Sequence, residues 1–156
     1  MIITPHLLAG SAVAAAVTDN WLLAFLVGFF LHFILDAVPH VDPGTFFNPE
    51  RDENKPWPTW IYIYALSEFI IIWAIIIILF QHKSNFDVII AGGMGGIAVD
   101  IIDNNPFRSL RQLPLLKQIH SIHKKFHFDL PKEKWFLGAI TQIIVIGVSV
   151  WYLLKF

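Results

Sequence analysis

The chain has 156 residues, of which 56% are hydrophobic and only 15% are charged, and its formal net charge is -1. Because a soluble domain carries about a quarter charged residues, this composition predicts a small integral membrane protein, and the near-zero charge excludes a general basic field that would attract nucleic acid. The absence of cysteine excludes disulfides, thiolate metal sites and a cysteine nucleophile, so any bound metal must have nitrogen and oxygen ligands.

Five apolar segments are candidates for membrane-spanning helices, which need about 20 mostly apolar residues. They cover residues 5–18, 21–38, 58–81, 86–103 and 135–154. No basic stretch of the kind that begins a signal peptide precedes the first segment, so we expect it to be retained. Thr4 is expected to cap this helix and Pro5 to occupy its first position. The sequence therefore predicts a single all-α integral membrane domain with about five transmembrane helices.

Residues 108–127 predict a different kind of helix. Leucine and isoleucine recur there at helical spacing with basic and polar residues between them. This pattern is typical of an amphipathic helix that lies on the membrane surface. The polar segment 42–58 is expected to form a loop over the same face.

The basic residues predict the orientation of the chain. Segment 39–57 contains two of the eleven lysines and arginines and segment 104–134 contains seven. Both segments lie on one side if all five helices span, and the positive-inside rule places that side in the cytoplasm. Six of the seven histidines fall on or near that side, whereas His82 is expected on the opposite one.

The spacing His32-x3-Asp36-x3-His40 predicts metal ligands. Residues four apart share one face of a helix, and histidine with carboxylate is a common transition-metal ligand set. Pro39 is expected to end the helix and to bring His40 and Asp42 over its terminus. The alternative is an ordinary polar helix end at the membrane interface.

Further candidates lie on the same side of the membrane. They are His6 at the start of the first helix, Asp100 and Asp103 at the end of the fourth, and His120, His123 and His127 in the surface helix. The last three share a stripe if their helix is continuous, although a basic helix that attracts anionic lipid would also account for them. For Asp103, a helix-terminating role stays open.

Two features lie inside the predicted spans. Glu68 is an ionisable residue at membrane depth, which indicates either a partner of a metal-bound histidine or a protonated acid bonded to a neighbouring helix. The glycines around Gly92-x3-Gly96 lack the Lys-Ser/Thr that completes a phosphate-binding loop. They predict close helix packing instead.

Three stretches, TPHLLAG (4–10), LHFILDAVPHVD (31–42) and IHSIHKKFH (119–127), make the chain resemble the small bacterial and archaeal membrane proteins described as membrane-bound metal-dependent hydrolases. The second stretch is also similar to part of the zinc-dependent phospholipase C and P1 nuclease pattern. The resemblance implies a divalent-metal hydrolase of a prokaryotic cytoplasmic membrane, with His6, His32, Asp36, His40 and Asp100 as equivalent positions. In the phospholipase C group the N-terminal residue binds zinc, and Met1-Ile2 offers no obvious match.

Together these observations predict a membrane-embedded hydrolase that acts on a phosphoester or lipid-like substrate at the cytoplasmic interface. Zinc is the expected metal, and more than one ion is left open. The expected ligands are His6, His32, Asp36, His40, Asp100, His120, His123 and His127. Asp42 or Asp103 is expected to act as general base. Lys124, Lys125, Arg108 and Arg111 could attract a lipid phosphate.

Two alternatives belong to other functional classes. The first is a non-enzymatic metal or haem protein for transport, sensing or electron transfer, since paired histidines can ligate haem. The second is a structural membrane protein whose histidine-rich face only binds lipid headgroups. Metal content and hydrolytic activity discriminate among the three.

Overall fold

The computed structural model describes residues 1–47, 57–104 and 113–155, except for the side chain of Thr45. The helices in these ranges are α1 (Ile3–Val17), α2 (Trp21–Asp36), α3 (Pro43–Phe47), α4 (Thr59–Phe80), α5 (Phe86–Asp103), α6 (Pro114–Phe126) and α7 (Trp135–Lys155). A single 3-10 turn at Lys132–Lys134 precedes α7. The predicted all-α architecture is confirmed, and each of the five apolar segments forms one helix.

The prediction of five membrane spans is not supported. Within the described ranges, two stretches are long and apolar enough to cross a membrane: Thr59–Phe80 with mean hydropathy 2.6 and Lys132–Lys155 with mean hydropathy 2.0. Helices α1 and α2 have 15 and 16 residues, which gives lengths of about 22–24 Å against a hydrocarbon core of about 30 Å. Helix α5 has 18 residues but carries Asp87, Asp100 and Asp103.

The two long apolar helices differ from core helices of soluble proteins, because only 17% and 22% of their apolar stretches are buried. Large apolar side chains such as Ile63, Ile78, Ile143 and Val148 are more than 60% exposed. Surfaces of this kind need an apolar environment. The two helices therefore suggest a membrane protein.

Glycines bring α1, α2 and α5 into backbone contact. A Cβ atom added at Gly10 or Gly28 would collide with the carbonyl oxygen of Gly92, and one added at Gly96 would collide with the carbonyl oxygen of His6. Small residues allow helices to approach this closely. The predicted packing role of Gly92-x3-Gly96 is confirmed, and it sets α1 and α2 beside the end of α5.

The start of α1 differs from the prediction. The helix begins at Ile3, its N-cap is Ile2 without a side-chain cap bond, and Pro5 is its third residue. The prediction that Thr4 caps the helix is wrong. Instead, the backbone N–H of Thr4 donates to Oε1 of Glu68 at 2.8 Å, so an acid on α4 satisfies one of the N–H groups that a helix start leaves without a partner.

The ends of α2 and α6 are joined by short backbone pairing. The N–H of Phe128 donates to Asp36 O at 2.8 Å, and the N–H of Leu130 donates to His40 O at 2.8 Å. An isolated β-bridge links His40 with Asp129. The segment that follows α2 and the segment that follows α6 are therefore paired side by side next to the ends of the two helices.

Part of the element predicted over residues 108–127 is a helix, α6, and its placement on the membrane surface stays a prediction. The helix begins at Pro114, and residues 108–112 of the predicted element lie outside the described ranges. His123 is buried on one face, whereas Leu115, Ile122 and Phe126 are 67%, 44% and 49% exposed. The helix ends at Phe126, and His127 has extended backbone geometry. The expectation of one continuous helical stripe is therefore wrong for His127.

Candidate functional site

Asp36, the last residue of α2, is the centre of the cluster and its side chain is fully buried. Its Oδ2 lies 3.0 Å from Nε2 of His32 and 2.8 Å from Nε2 of His123. Its Oδ1 lies 3.0 Å from Nε2 of His6 and 3.0 Å from the amino nitrogen of Met1. One carboxylate therefore contacts groups from α1, α2, α6 and the start of the chain.

Backbone carbonyls and a carboxylate orient three of the imidazole rings. Nδ1 of His32 lies 2.7 Å from Gly96 O, and Nδ1 of His40 lies 2.9 Å from Val38 O. Nδ1 of His123 lies 2.8 Å from Oδ2 of Asp103. Each Nδ1–H donates to its oxygen, so each Nε2 faces the cluster. Metal-binding histidines are usually oriented by this kind of hydrogen bond.

The imidazoles form two close pairs. Nε2 of His32 and Nε2 of His123 are 3.4 Å apart, and Nε2 of His40 and Nε2 of His127 are also 3.4 Å apart. Two ligand nitrogens on a tetrahedral zinc ion, each about 2.0–2.1 Å from the metal, are separated by about 3.3–3.4 Å. The spacing of both pairs therefore matches that of nitrogens that share one metal ion.

Three overlapping groups of residues could hold a metal ion. In each group the ligand atoms lie within 4.8 Å of one another, and the groups are His6–His32–Asp36, His32–Asp100–His123 and Asp36–His40–His127. His32 is common to the first two groups, and Asp36 is common to the first and third. Seven of the eight predicted ligands are brought together in this way. The eighth, His120, belongs to none of these groups of described residues.

His6 supplies an independent indication of a ligand. Both of its ring nitrogens are buried and make no hydrogen bond to any residue of the described part of the chain. Its Nε2 is near Oδ1 of Asp36, but the approach does not have hydrogen-bond geometry, and the ring stacks on His32 with centroids 4.0 Å apart. A buried imidazole without a hydrogen bond is costly. A metal ion would satisfy it.

In the pair His40–His127, burial and a nearby positive charge keep the ring of His40 neutral. Burial and the amino group of Met1 lower the pKa of His40 to about 4, so its ring is free to bind a metal at neutral pH. Burial disfavours the charged form of Asp42, but the Met1 amino group and His127 outweigh it and hold the pKa of Asp42 below its usual value. Nε2 of His127 lies 3.0 Å from Oδ2 of Asp42.

Asp103 holds the surface helix against the cluster. Its two oxygens accept hydrogen bonds from Nδ1 of His120 at 2.5 Å and from Nδ1 of His123 at 2.8 Å. These contacts support a positioning role for Asp103, and its predicted role as general base stays a prediction. The side chain of His120 is 43% exposed, so this residue lies at the rim.

The remaining predicted residues occupy the edge of the cluster or lie away from it. Oδ1 of Asp100 lies 4.0 Å from Nε2 of His32. Lys124 and Lys125 are exposed on α6, whereas Arg108 and Arg111 fall outside the described residues. His82 is exposed in the turn after α4. Glu68 is in none of the ligand groups, and its observed bond supports the start of α1.

Three contributors were not predicted from the sequence. The amino nitrogen of Met1 lies 3.0 Å from Oδ1 of Asp36 and 3.2 Å from Oδ1 of Asp42. Asp129 accepts the backbone N–H of Asp42 at 3.3 Å. Gln142 of α7 accepts the N–H of Ile2 and donates to Val41 O, both at 3.1 Å. No sequence spacing relates these residues to the predicted ligands, so the sequence does not indicate that they lie at the cluster.

The comparisons with known proteins identify no relative. No protein-family model matches the chain, and neither a curated protein nor a solved structure is significantly similar to it. The likeness to metal-dependent hydrolases therefore stays a prediction from short motifs. The buried cluster of histidines and aspartates is compatible with metal binding.

Proposed function

We propose that this protein is a membrane-embedded hydrolase whose histidine and aspartate cluster binds two divalent metal ions, zinc foremost, on either side of Asp36. The observation that carries the proposal is the arrangement of two imidazole pairs around one buried carboxylate. The pair His32–His123 faces Oδ2, and Nε2 of His40 lies 3.9 Å from Oδ1. Asp36 and the imidazoles on its two sides would therefore hold the ions.

Each metal position would draw on its own set of residues. His32 and His123 would hold the first ion, with Asp100 within reach. His40 and His127 would hold the second, with Asp42 beside them. His6 adds a nitrogen near Oδ1 of Asp36. Nitrogen and carboxylate oxygen are ligands that zinc accepts, and the absence of cysteine leaves no thiolate donor.

The chain's own residues would position and activate the reactants. A bound divalent ion supplies a water of lowered pKa and polarises a phosphoryl or acyl oxygen. Asp42 has a side chain that is 23% exposed and lines the adjacent cavity, so it can accept a hydrogen bond from a water there and orient it. Lys124 and Lys125 would draw an anionic headgroup towards the cluster.

The membrane setting makes an amphiphilic phosphoester or acyl ester the expected substrate. Helices α4 and α7 are candidate spans, and the cluster lies at the start of α4, not at its middle, because Trp57 just before that helix donates from Nε1 to Asn104 at 3.1 Å. The distribution of basic residues supports a cytoplasmic orientation.

Metal content of the purified protein tests the proposal. After saturation with zinc and removal of free metal, mass spectrometry should find about two ions per chain, and Asp36→Asn should lower occupancy at least about ten-fold. His127→Gln, at the rim, should lose one ion and keep the other. The exposed Asp19→Asn is the matched control and should bind as the wild type does. Circular dichroism checks that all variants fold.

Four outcomes would contradict parts of the proposal. Metal below stoichiometry after supplementation with zinc, manganese and iron would refute the metal centre, and metal that survives Asp36→Asn would place it elsewhere. Bound metal without hydrolysis across a panel of phosphodiesters and acyl esters in mixed micelles would favour the non-enzymatic metal protein. A visible haem absorbance would select that alternative directly.

A further inference from the structure

An apolar cavity opens beside the cluster. It has a volume of about 310 Å³ and lies between α4, α5 and the first residues of the chain. Ile3, Ile61, Ala65 and Ile97 contribute apolar walls, and Asp42 and Asp100 also line it. The cavity thus combines a long apolar surface with two carboxylates that belong to the candidate metal centre.

The cavity borders a helix that is a candidate membrane span. Its α4 wall includes Ile61 and Ala65, and the same helix exposes Leu66 and Ile70 at 59% and 57%. A lipid chain would therefore contact apolar side chains of α4 both in the cavity and on the exposed face of the helix. At the start of α1, Ile3 is half-buried and also lines the cavity, so a chain inside the cavity would contact it.

We propose that this cavity binds one alkyl chain of a membrane lipid and thereby places the lipid's polar headgroup beside Asp42 and Asp100. The inference rests on the proposed function, because it assigns the substrate class of that centre. The volume is at the lower end of the range for ligand pockets, roughly 300–1,000 Å³. It suits a single chain, and a second chain would remain along the exposed face of α4.

Occupation of the cavity by the chain would set the reach of the headgroup. A lipid chain in the bilayer is already out of water, so close packing against the cavity walls, not the hydrophobic effect, would favour the bound state. The carboxylates, the imidazoles and the two lysines of α6 would then act on the polar end. A water-soluble phosphoester lacks this anchor and would bind far more weakly.

Photo-crosslinking in proteoliposomes tests the chain site. The probe is a phosphatidylcholine with a diazirine in the middle of one acyl chain, and the readout is residue-level mass spectrometry of labelled Ile3. Ala65→Phe places a large side chain in the cavity and should remove most of this label, because the ring would occupy space that the chain needs. Ala74→Phe, the same change at an exposed position of the same helix, should leave it unchanged.

The controls separate this inference from the proposed function. Ala65→Leu adds less volume and should give an intermediate loss if Ala65→Phe does not fold. Chelated and zinc-loaded samples are compared, so a label at Ile3 without metal binding would leave the chain site standing while the metal centre fails. Metal binding without a label, or a label indifferent to Ala65→Phe, would overturn the chain site. Labelling by a free fatty-acid diazirine alone would overturn the assignment to membrane lipid.

Discussion

His123 lies between two carboxylates, and this position would tie the proposed metal binding to proton release. Burial opposes the charged ring, but hydrogen bonds to Asp103 and Asp36 outweigh it and raise the pKa of His123 to about 10. The ring of the metal-free protein therefore carries a proton at neutral pH. A metal ion at Nε2 needs that nitrogen without its proton, so the proton must leave when the metal binds.

We expect the apparent zinc affinity to rise with pH between 6.5 and 9, by about ten-fold per pH unit for each proton released. Calorimetry in two buffers of different ionisation enthalpy gives the number of protons released at pH 7.5. His123→Gln should release about one proton fewer than the wild type. His82→Gln, at an exposed histidine away from the cluster, should release the same number, and an unchanged count in His123→Gln would contradict the coupling.

At the level of residues, the spacing in the sequence predicted a contact within one helix but not the contacts between different helices. The four-residue step from His32 to Asp36 predicted a shared face, and Nε2 of His32 does lie 3.0 Å from Oδ2 of Asp36. The pairing of His123 with Asp103 depends on how α6 docks against α5, which no spacing encodes. The place of the Met1 amino group depends in the same way on the packing of α1.

Among the elements, the contact of α1, α2 and α5 decides whether the ligands meet. The carbonyl oxygen of Gly96 accepts from His32, and its Cα faces the backbone of His6. A side chain at this point would force α1 and α5 apart. The geometry of the His6–His32–Asp36 group therefore depends on a residue that ligates nothing.

We expect Gly96→Ala to lower the free energy of unfolding by about 2 kcal/mol or more, the cost typical of overpacking in a rigid interior. Gly147→Ala is the matched control, because nothing lies within 4 Å of the Cβ it would add. That change should be neutral or stabilising by up to about 1 kcal/mol. Thermal unfolding in detergent measures both, and equal stability of the two variants would contradict the packing argument.

Some helix limits followed from the sequence because a proline marks them. Pro39 follows the end of α2 by three residues, and Pro114 begins α6. The number of spans could not be judged in the same way. Apolar composition is shared by lipid-facing and protein-buried helices, and α1 owes its apolar character to burial against its neighbours, since Leu7, Leu8, Ala12 and Ala14 are all buried.

At the scale of the whole molecule, the cluster and the turn after α4 occupy opposite ends. Trp57 precedes α4 and bonds Asn104 near the cluster, whereas His82 follows Phe80 at the other end of the helix. Helix α4 has 22 residues, which corresponds to about 33 Å, enough to cross a hydrocarbon core. If α4 spans, these two ends face different compartments.

The absence of cysteine makes this arrangement directly testable with single-cysteine variants. Lys125→Cys on α6 and His82→Cys in the far turn both replace exposed residues. With intact cells, a membrane-impermeant maleimide should label His82→Cys, whereas Lys125→Cys should react only after permeabilisation, because the basic residues favour the cytoplasm for the α6 side. Labelling of both before permeabilisation would show that α4 does not separate them. The reverse pattern would keep the span and place the metal centre outside the cytoplasm, where its substrate would have to be a lipid of the outer leaflet.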